Sequence, residues 1–121
     1  MTTFAALWRE FEPLGRDPRT GGYRRYSWTD ADAACRVWFT RQAEQRGLTV
    51  EPDNNGNLWA WWAPRSARRE AAVMTGSHLD SVPDGGGFDG GLGVVAALAA
   101  VDLLKDKDFR PERPVVLAAF T

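Results

Sequence analysis

The chain has 121 residues, of which 44% are hydrophobic and 26% charged, with a formal net charge of -1. That balance fits a single globular domain and excludes disordered and fibrous classes. Near-neutral charge gives no electrostatic reason to expect nucleic acid or an anionic membrane as partner.

The one cysteine, Cys35, rules out an intrachain disulfide and fits a reducing, cytoplasmic setting. Residues 1–15 carry Glu10 and Glu12 and lack an uninterrupted apolar stretch, so they do not read as a signal peptide. The longest apolar run, 92–101, is far short of the roughly 20 residues a bilayer span needs.

Phe4, Leu7, Trp8 and Phe11 recur at helical spacing, with Thr2 or Thr3 as N-cap and Pro13 and Gly15 as stops. Residues 15–26, rich in Gly, Pro and Arg, read as a loop. A second helix starts near Thr29, with Asp30 and Asp32 at its positive end, apolar positions at Ala31, Ala34, Cys35, Trp38 and Phe39, and Gly47 as its stop. Residues 48–51 and 58–62 read as two strands of a hairpin, because Asp53-Asn54-Asn55-Gly56 between them is turn chemistry. In the second strand Trp59 and Trp61 share a face and Trp62 takes the other; the core is the expected place for these rings. Residues 64–70 form a polar connector, and its Arg65, Arg68 and Arg69 read as a solvated group. Residues 71–76 predict a buried strand. Residues 92–104, apolar on nearly every side, predict a buried helix. Residues 115–120, introduced by Pro114, predict another buried strand. Strand, helix, strand in that order implies a parallel crossover in an α/β fold.

The chemistry concentrates in residues 76–91, Gly-Ser-His-Leu-Asp-Ser-Val-Pro-Asp-Gly-Gly-Gly-Phe-Asp-Gly-Gly. His78, the only histidine, ends a predicted strand; Asp80 follows two residues later, and Asp89 sits among glycines just before the apolar helix. Imidazole and carboxylate are the donors zinc takes in hydrolytic sites. A ligating histidine needs a partner on its other ring nitrogen, and Asp80 is placed for that role. A carboxylate at a helix start is favoured by the dipole and by free N–H groups. A metal held there would polarise an amide carbonyl and acidify bound water. Singly, each residue has an ordinary explanation as a hydrogen-bonded histidine or a turn aspartate; the combination is far rarer. Gly85, Gly87 and Gly90 also satisfy G-x-G-x-x-G. The dinucleotide fingerprint, however, needs its first glycine directly after the strand and an acidic residue at the end of the next one. Here residues 77–84 intervene and the next strand ends in Ala119-Phe120-Thr121, so the nucleotide reading is set aside.

The run from Gly76 to Gly93 resembles the signature of the co-catalytic zinc peptidase and amidohydrolase superfamily. More narrowly it resembles the hydantoinase/carbamoylase branch: N-carbamoyl-L-amino-acid hydrolase, allantoate amidohydrolase and bacterial-type β-ureidopropionase. The likeness extends to residues 24–30, to Gly47-Leu48-Thr49-Val50 with residues 53–58, and to residues 113–121. It implies a three-layer α/β/α zinc-peptidase-like catalytic domain, with residues 1–121 its N-terminal portion. His78 would bind one metal ion, and Asp89 would bridge two through a segment whose Asp89–Gly90 peptide is cis. Asp80 would be the catalytic-site residue that orients His78. The cofactor implied is a pair of divalent ions, zinc by default, with manganese, cobalt or nickel as alternatives. The substrate implied is a small ureido or carbamoyl compound, hydrolysed with the help of a glutamate base; the full-length parent is expected to be a homodimer. The family's Glu-Glu pair, later histidines and dimerisation domain would lie beyond Thr121. A chain with two metal-ligating residues is therefore expected to bind metal weakly and not to turn over. Ser81 stands where threonine is usual, and Gly87 where a larger residue is common. Alternatives are a peptidase or deacylase of the same superfamily, and an inactive remnant or binding module.

Overall fold

Thr3 adopts extended backbone and its hydroxyl accepts from the Ala6 N–H, which starts helix α1 (Phe4–Phe11). Leu7 and Phe11 are fully buried. Thr29 caps helix α2 (Asp30–Gln45) in the same way through the Asp32 N–H, and Gly47 leaves the helix at a φ of 75°. The buried stripe of α2 is Cys35, Trp38, Phe39 and Ala43, joined by Asp32 and Gln42; Ala34, expected inside, is exposed. Asp32 is drawn in because its carboxylate accepts from the Trp28 N–H, which steadies Trp28 at a φ of 67°. The computed structural model describes residues 2–63 and 67–121.

Strands β1 (Thr49–Pro52) and β2 (Leu58–Trp62) form the expected hairpin, the first starting one residue later than its pattern suggested. Asp53 organises the turn: its carboxylate accepts from the backbone N–H of Asn55 and Asn57, the Asn57 side chain and the Trp59 indole. After the connector, of which residues 64–66 fall outside the described residues, a 3₁₀ turn at Arg69–Ala71 leads into β3 (Val73–His78). Helix α3 (Gly91–Asp106) then crosses over to β4 (Val115–Phe120), which pairs parallel to β3 and antiparallel to β2. The sheet order is β1-β2-β4-β3.

All three helices share one core on one face of the sheet, built from Leu7, Phe11, Cys35, Phe39, Val94, Val95, Leu98 and Val101 against Leu58, Ala60, Leu117 and Ala119. The class is α/β, as expected. Of the three layers expected, the described residues form two. The opposite sheet face carries Trp59, Trp61, Met74, Val116 and Phe120, and no described helix covers it.

Uncovered surfaces, on the sheet and on the outer side of α3, correct three expectations. Strand β3 is exposed along most of its length rather than buried, because it is a sheet edge with one uncovered side. Trp62 packs on the core, but Trp59 and Trp61 lie on the other face and are only half buried. Helix α3 is not buried all round: Val94, Leu98 and Val101 face inward, while Leu92, Ala96, Ala100 and Leu103 form an exposed apolar stripe. Among the described residues no helix is long and apolar enough to cross a membrane.

Candidate metal centre

The site forms where β3 ends and α3 begins. These are adjacent because the crossover packs α3 directly over β3. Gly93 allows that approach to β3, and Gly91 allows α1 to close on the start of α3. A Cβ on Gly93 would stand 2.6 Å from the Ser77 Cβ, and one on Gly91 would stand 2.2 Å from Phe11 Cε1. Gly90, with a φ of 69°, turns the chain into α3 against the His78 ring, where a Cβ would lie 2.5 Å from Nδ1.

His78 is the last residue of β3, and its side chain is 41% exposed, so the ring is reachable by a small solute. Its Nδ1 lies 3.0 Å from the Asp80 carbonyl oxygen and 3.1 Å from Asp80 Oδ1. A carbonyl oxygen only accepts, so Nδ1 carries the hydrogen and donates to Asp80. In the neutral ring this leaves Nε2 with a free lone pair, the form a metal requires. Asp80 reaches the ring by a turn back, since β3 stops at His78 and the buried Leu79 anchors the bend. Alternation along a strand, the reason for expecting both on one side, is not what brings them together.

Asp89 stands two residues before α3, and its Oδ1 is 3.6 Å from His78 Nε2. That is too long for a hydrogen bond. Two donors held about 2.1 Å from one tetrahedral zinc would sit roughly 3.4 Å apart, so the pair has the separation of two ligands. The other Asp89 oxygen, Oδ2, faces Gly85, whose Cβ would be 3.5 Å from it. Among the described residues no group of three or more His, Cys, Asp or Glu side chains gathers in a metal-holding arrangement. His78 and Asp89 thus fit a divalent ion as part of a donor set. The Asp89–Gly90 peptide is trans, against the cis form the resemblance implied, and the left-handed Gly90 makes the turn.

The glycine fingerprint is also placed. Gly85 lies seven residues beyond the last residue of β3, so the pyrophosphate geometry is absent.

What sequence reasoning missed is the loop underneath. Arg25 is 1% exposed and stacks between the rings of Phe11 and Tyr23, at 4.1 and 4.0 Å. Its Nε donates to the Leu14 carbonyl and its Nη2 to the Phe11 carbonyl. Burial, uncompensated by any carboxylate in the described ion pairs, lowers its pKa from the usual arginine value. Its backbone exchanges two hydrogen bonds with Ser81. Tyr23 bridges to Gly85, and Asp84 accepts from Thr20 and lies 3.6 Å from Arg24. The signal available was only the resemblance of residues 24–30, which assigned no role to Arg25. Cys35, buried in the core, has its thiol pushed up to about 11 by desolvation, which leaves it unreactive packing.

Residues 57–121 match peptidase family M28. The chain is 36% identical over 97 residues to the ureidoglycolate hydrolase of Arabidopsis thaliana, covering 80% of the chain and 20% of that protein. It is 37% identical over 101 residues to the N-carbamoyl-L-amino-acid amidohydrolase of Rhizobium meliloti, covering 84% of the chain and 24% of that protein. The crystal structure of a hydantoinase/carbamoylase family amidase from Burkholderia ambifaria superposes with a TM-score of 0.87 at 37% identity, covering 98% of the chain and 29% of that structure. The chain therefore spans about a quarter of the length of the relatives it matches.

Proposed function

The chain belongs to peptidase family M28 and, with these relatives, to the hydantoinase/carbamoylase amidases, and on that premise we propose that residues 1–121 form the N-terminal part of the metal-binding catalytic domain of an amidohydrolase. The reaction is hydrolysis of a non-peptide C–N bond in a small ureido or carbamoyl compound, such as an N-carbamoyl-L-amino acid or allantoate. Relatives named for ureidoglycolate and N-carbamoyl amino acids support that substrate class.

The reading rests on one observation: His78 presents the free lone pair of Nε2 3.6 Å from Asp89 Oδ1, with its other nitrogen engaged by Asp80. Divalent ions bound there, zinc by default, would polarise the substrate carbonyl and acidify water. The chain's own residues do the rest of the local work. Asp80 fixes the His78 tautomer and ring plane. Asp89 offers its carboxylate two residues before α3, where the helix dipole favours negative charge. The glycines keep the approach to the site free of side chains.

In the longer protein that carries this segment, His78→Ala and Asp89→Asn each abolish hydrolysis of an N-carbamoyl amino acid. Asp80→Asn lowers metal affinity by about 10–100-fold, the usual effect of losing a partner that orients a ligand. Retained activity in either ligand variant would remove the assignment. The 121-residue chain, with two donor residues, binds metal weakly and does not turn over; tight stoichiometric zinc binding, measured by calorimetry, would contradict it. The family match leaves a peptidase or deacylase as the second reading. A panel of N-carbamoyl, N-acyl and dipeptide substrates separates the two.

A further inference from the structure

We infer that Arg25 is a positioning residue for the metal centre, holding the His78–Asp80 segment and the Asp89–Gly91 segment in register with each other from beneath. The inference rests on the metal-site reading above and assigns a role to a residue outside the ligand set.

Arg25 reaches each segment through one neighbour, Ser81 on one side and Phe11 on the other, by different parts of its structure. Its backbone makes a reciprocal pair with Ser81: the Ser81 N–H donates to the Arg25 carbonyl at 2.9 Å, and the Arg25 N–H donates to Ser81 Oγ at 3.0 Å. Ser81 directly follows Asp80, whose carbonyl and carboxylate both face His78 Nδ1. The pair therefore fixes the turn on which the His78 tautomer depends. The side chain acts on the other segment. Its guanidinium lies flat on the Phe11 ring, 4.1 Å from the centroid. That ring edge fills the space a Cβ of Gly91 would need. Gly91 is the first residue of α3, two after Asp89.

The guanidinium itself has no freedom to drift. Two backbone carbonyls, those of Leu14 and Phe11, accept from it, and the Tyr23 ring closes its second face. Gly15 makes room for its stem, since a Cβ there would lie 2.5 Å from Arg25 Cγ. Leu14 and Phe11 belong to the first helix and its exit, so one residue ties that region to both halves of the site, by its side chain to one and by its backbone to the other. A planar guanidinium can stack on two rings while donating in its plane, whereas a lysine ammonium cannot.

The test uses the fact that His78 is the only histidine. Its ring nitrogens give one pair of ¹⁵N resonances, which report the tautomer without any metal. In the unaltered chain the expected spectrum is that of a ring protonated on Nδ1, and added cobalt(II) perturbs Nε2. Ser81→Ala and Arg25→Lys are compared with it by ¹⁵N spectrum, by cobalt(II) affinity and by denaturant midpoint. Positioning predicts a mixed tautomer population in Ser81→Ala, which leaves every side-chain contact of Arg25 in place, and about tenfold weaker cobalt(II) binding in both variants. A midpoint that falls while tautomer and cobalt(II) affinity stay as in the unaltered chain would make Arg25 a structural residue only and overturn the inference. If Arg25→Lys fails to fold, Arg25→Gln, which keeps the stem and a donor for the Leu14 carbonyl, takes its place, and Ser81→Ala tests the backbone half. The underlying reading fails separately: cobalt(II) that leaves His78 Nε2 unperturbed in the unaltered chain would sink the metal site itself.

Discussion

At the scale of single residues, His78, Asp80 and Asp89 stood out as candidates because the chain holds one histidine and sets it between a strand pattern and a helix pattern. Their geometry was legible only in part. The turn that points both acceptors of Asp80 at Nδ1 depends on Leu79 and Ser81 finding buried partners, and those partners are distant in sequence. Gly90 is the residue whose absence of a side chain matters most. Gly90→Ala must hold a φ of 69° and place a methyl within 2.5 Å of the His78 ring. The expected result is a loss of roughly 1–3 kcal/mol and a displaced imidazole resonance. Gly86→Ala, where a Cβ meets nothing within 4 Å, should leave both unchanged. Equal effects at the two positions, read by denaturation and ¹⁵N spectra, would refute the close approach.

At the scale of elements, the β1–β2 hairpin was readable from its turn residues, since Asp, Asn and Gly make the turn by local bonds alone. The hydrogen bond from the Asn57 side chain, then that from the Trp59 indole, lowers the Asp53 pKa from the usual aspartate value. A carboxylate whose pKa is depressed by folding stabilises the fold above its ordinary value of about 3.9; that contribution is lost as pH falls through the lower folded value. Hairpin stability should therefore drop below about pH 4. Asp53→Asn should be weaker at pH 6 and show a flatter acid limb, followed by denaturant titrations from pH 6 to 2. An unchanged acid limb in the variant would remove Asp53 as a cause. Strand β3 was read correctly as a strand and wrongly as buried, because an apolar run looks the same in the middle of a sheet and at its edge. The α3 stripe of Leu92, Ala96, Ala100 and Leu103 carries the same ambiguity: composition says what prefers burial, not what is available to bury it.

At the scale of the molecule, one core on one sheet face holds the chain together. Leu98 lies fully buried at its centre, on the inward side of α3. Leu98→Ala is expected to cost about 2–5 kcal/mol by transfer and cavity terms. Because total stabilities of domains run at about 5–15 kcal/mol, the loss should shift the whole unfolding transition rather than a local part of it. Tryptophan fluorescence in urea measures this; a change below about 1 kcal/mol would mean that α3 is not seated as described. The Arg46–Asp102 pair, its arginine buried and also donating to Gln42, joins the end of α2 to α3 beside this core, and nothing in the periodicity of either helix announced it.

By itself the sequence determined what depends on neighbours along the chain. Helix caps at Thr3 and Thr29, the Asp53 turn and the strand-helix-strand order follow from interactions within a few residues. The tertiary structure decided what depends on distant segments meeting. It put the helices on one sheet face, left β3 at the edge, and set the 3.6 Å between His78 and Asp89. It also brought Arg25 beneath Ser81, 56 positions away. Such contacts are fixed by packing, where a buried guanidinium must satisfy its donors and a missing Cβ decides how closely two segments approach, and no local pattern encodes either.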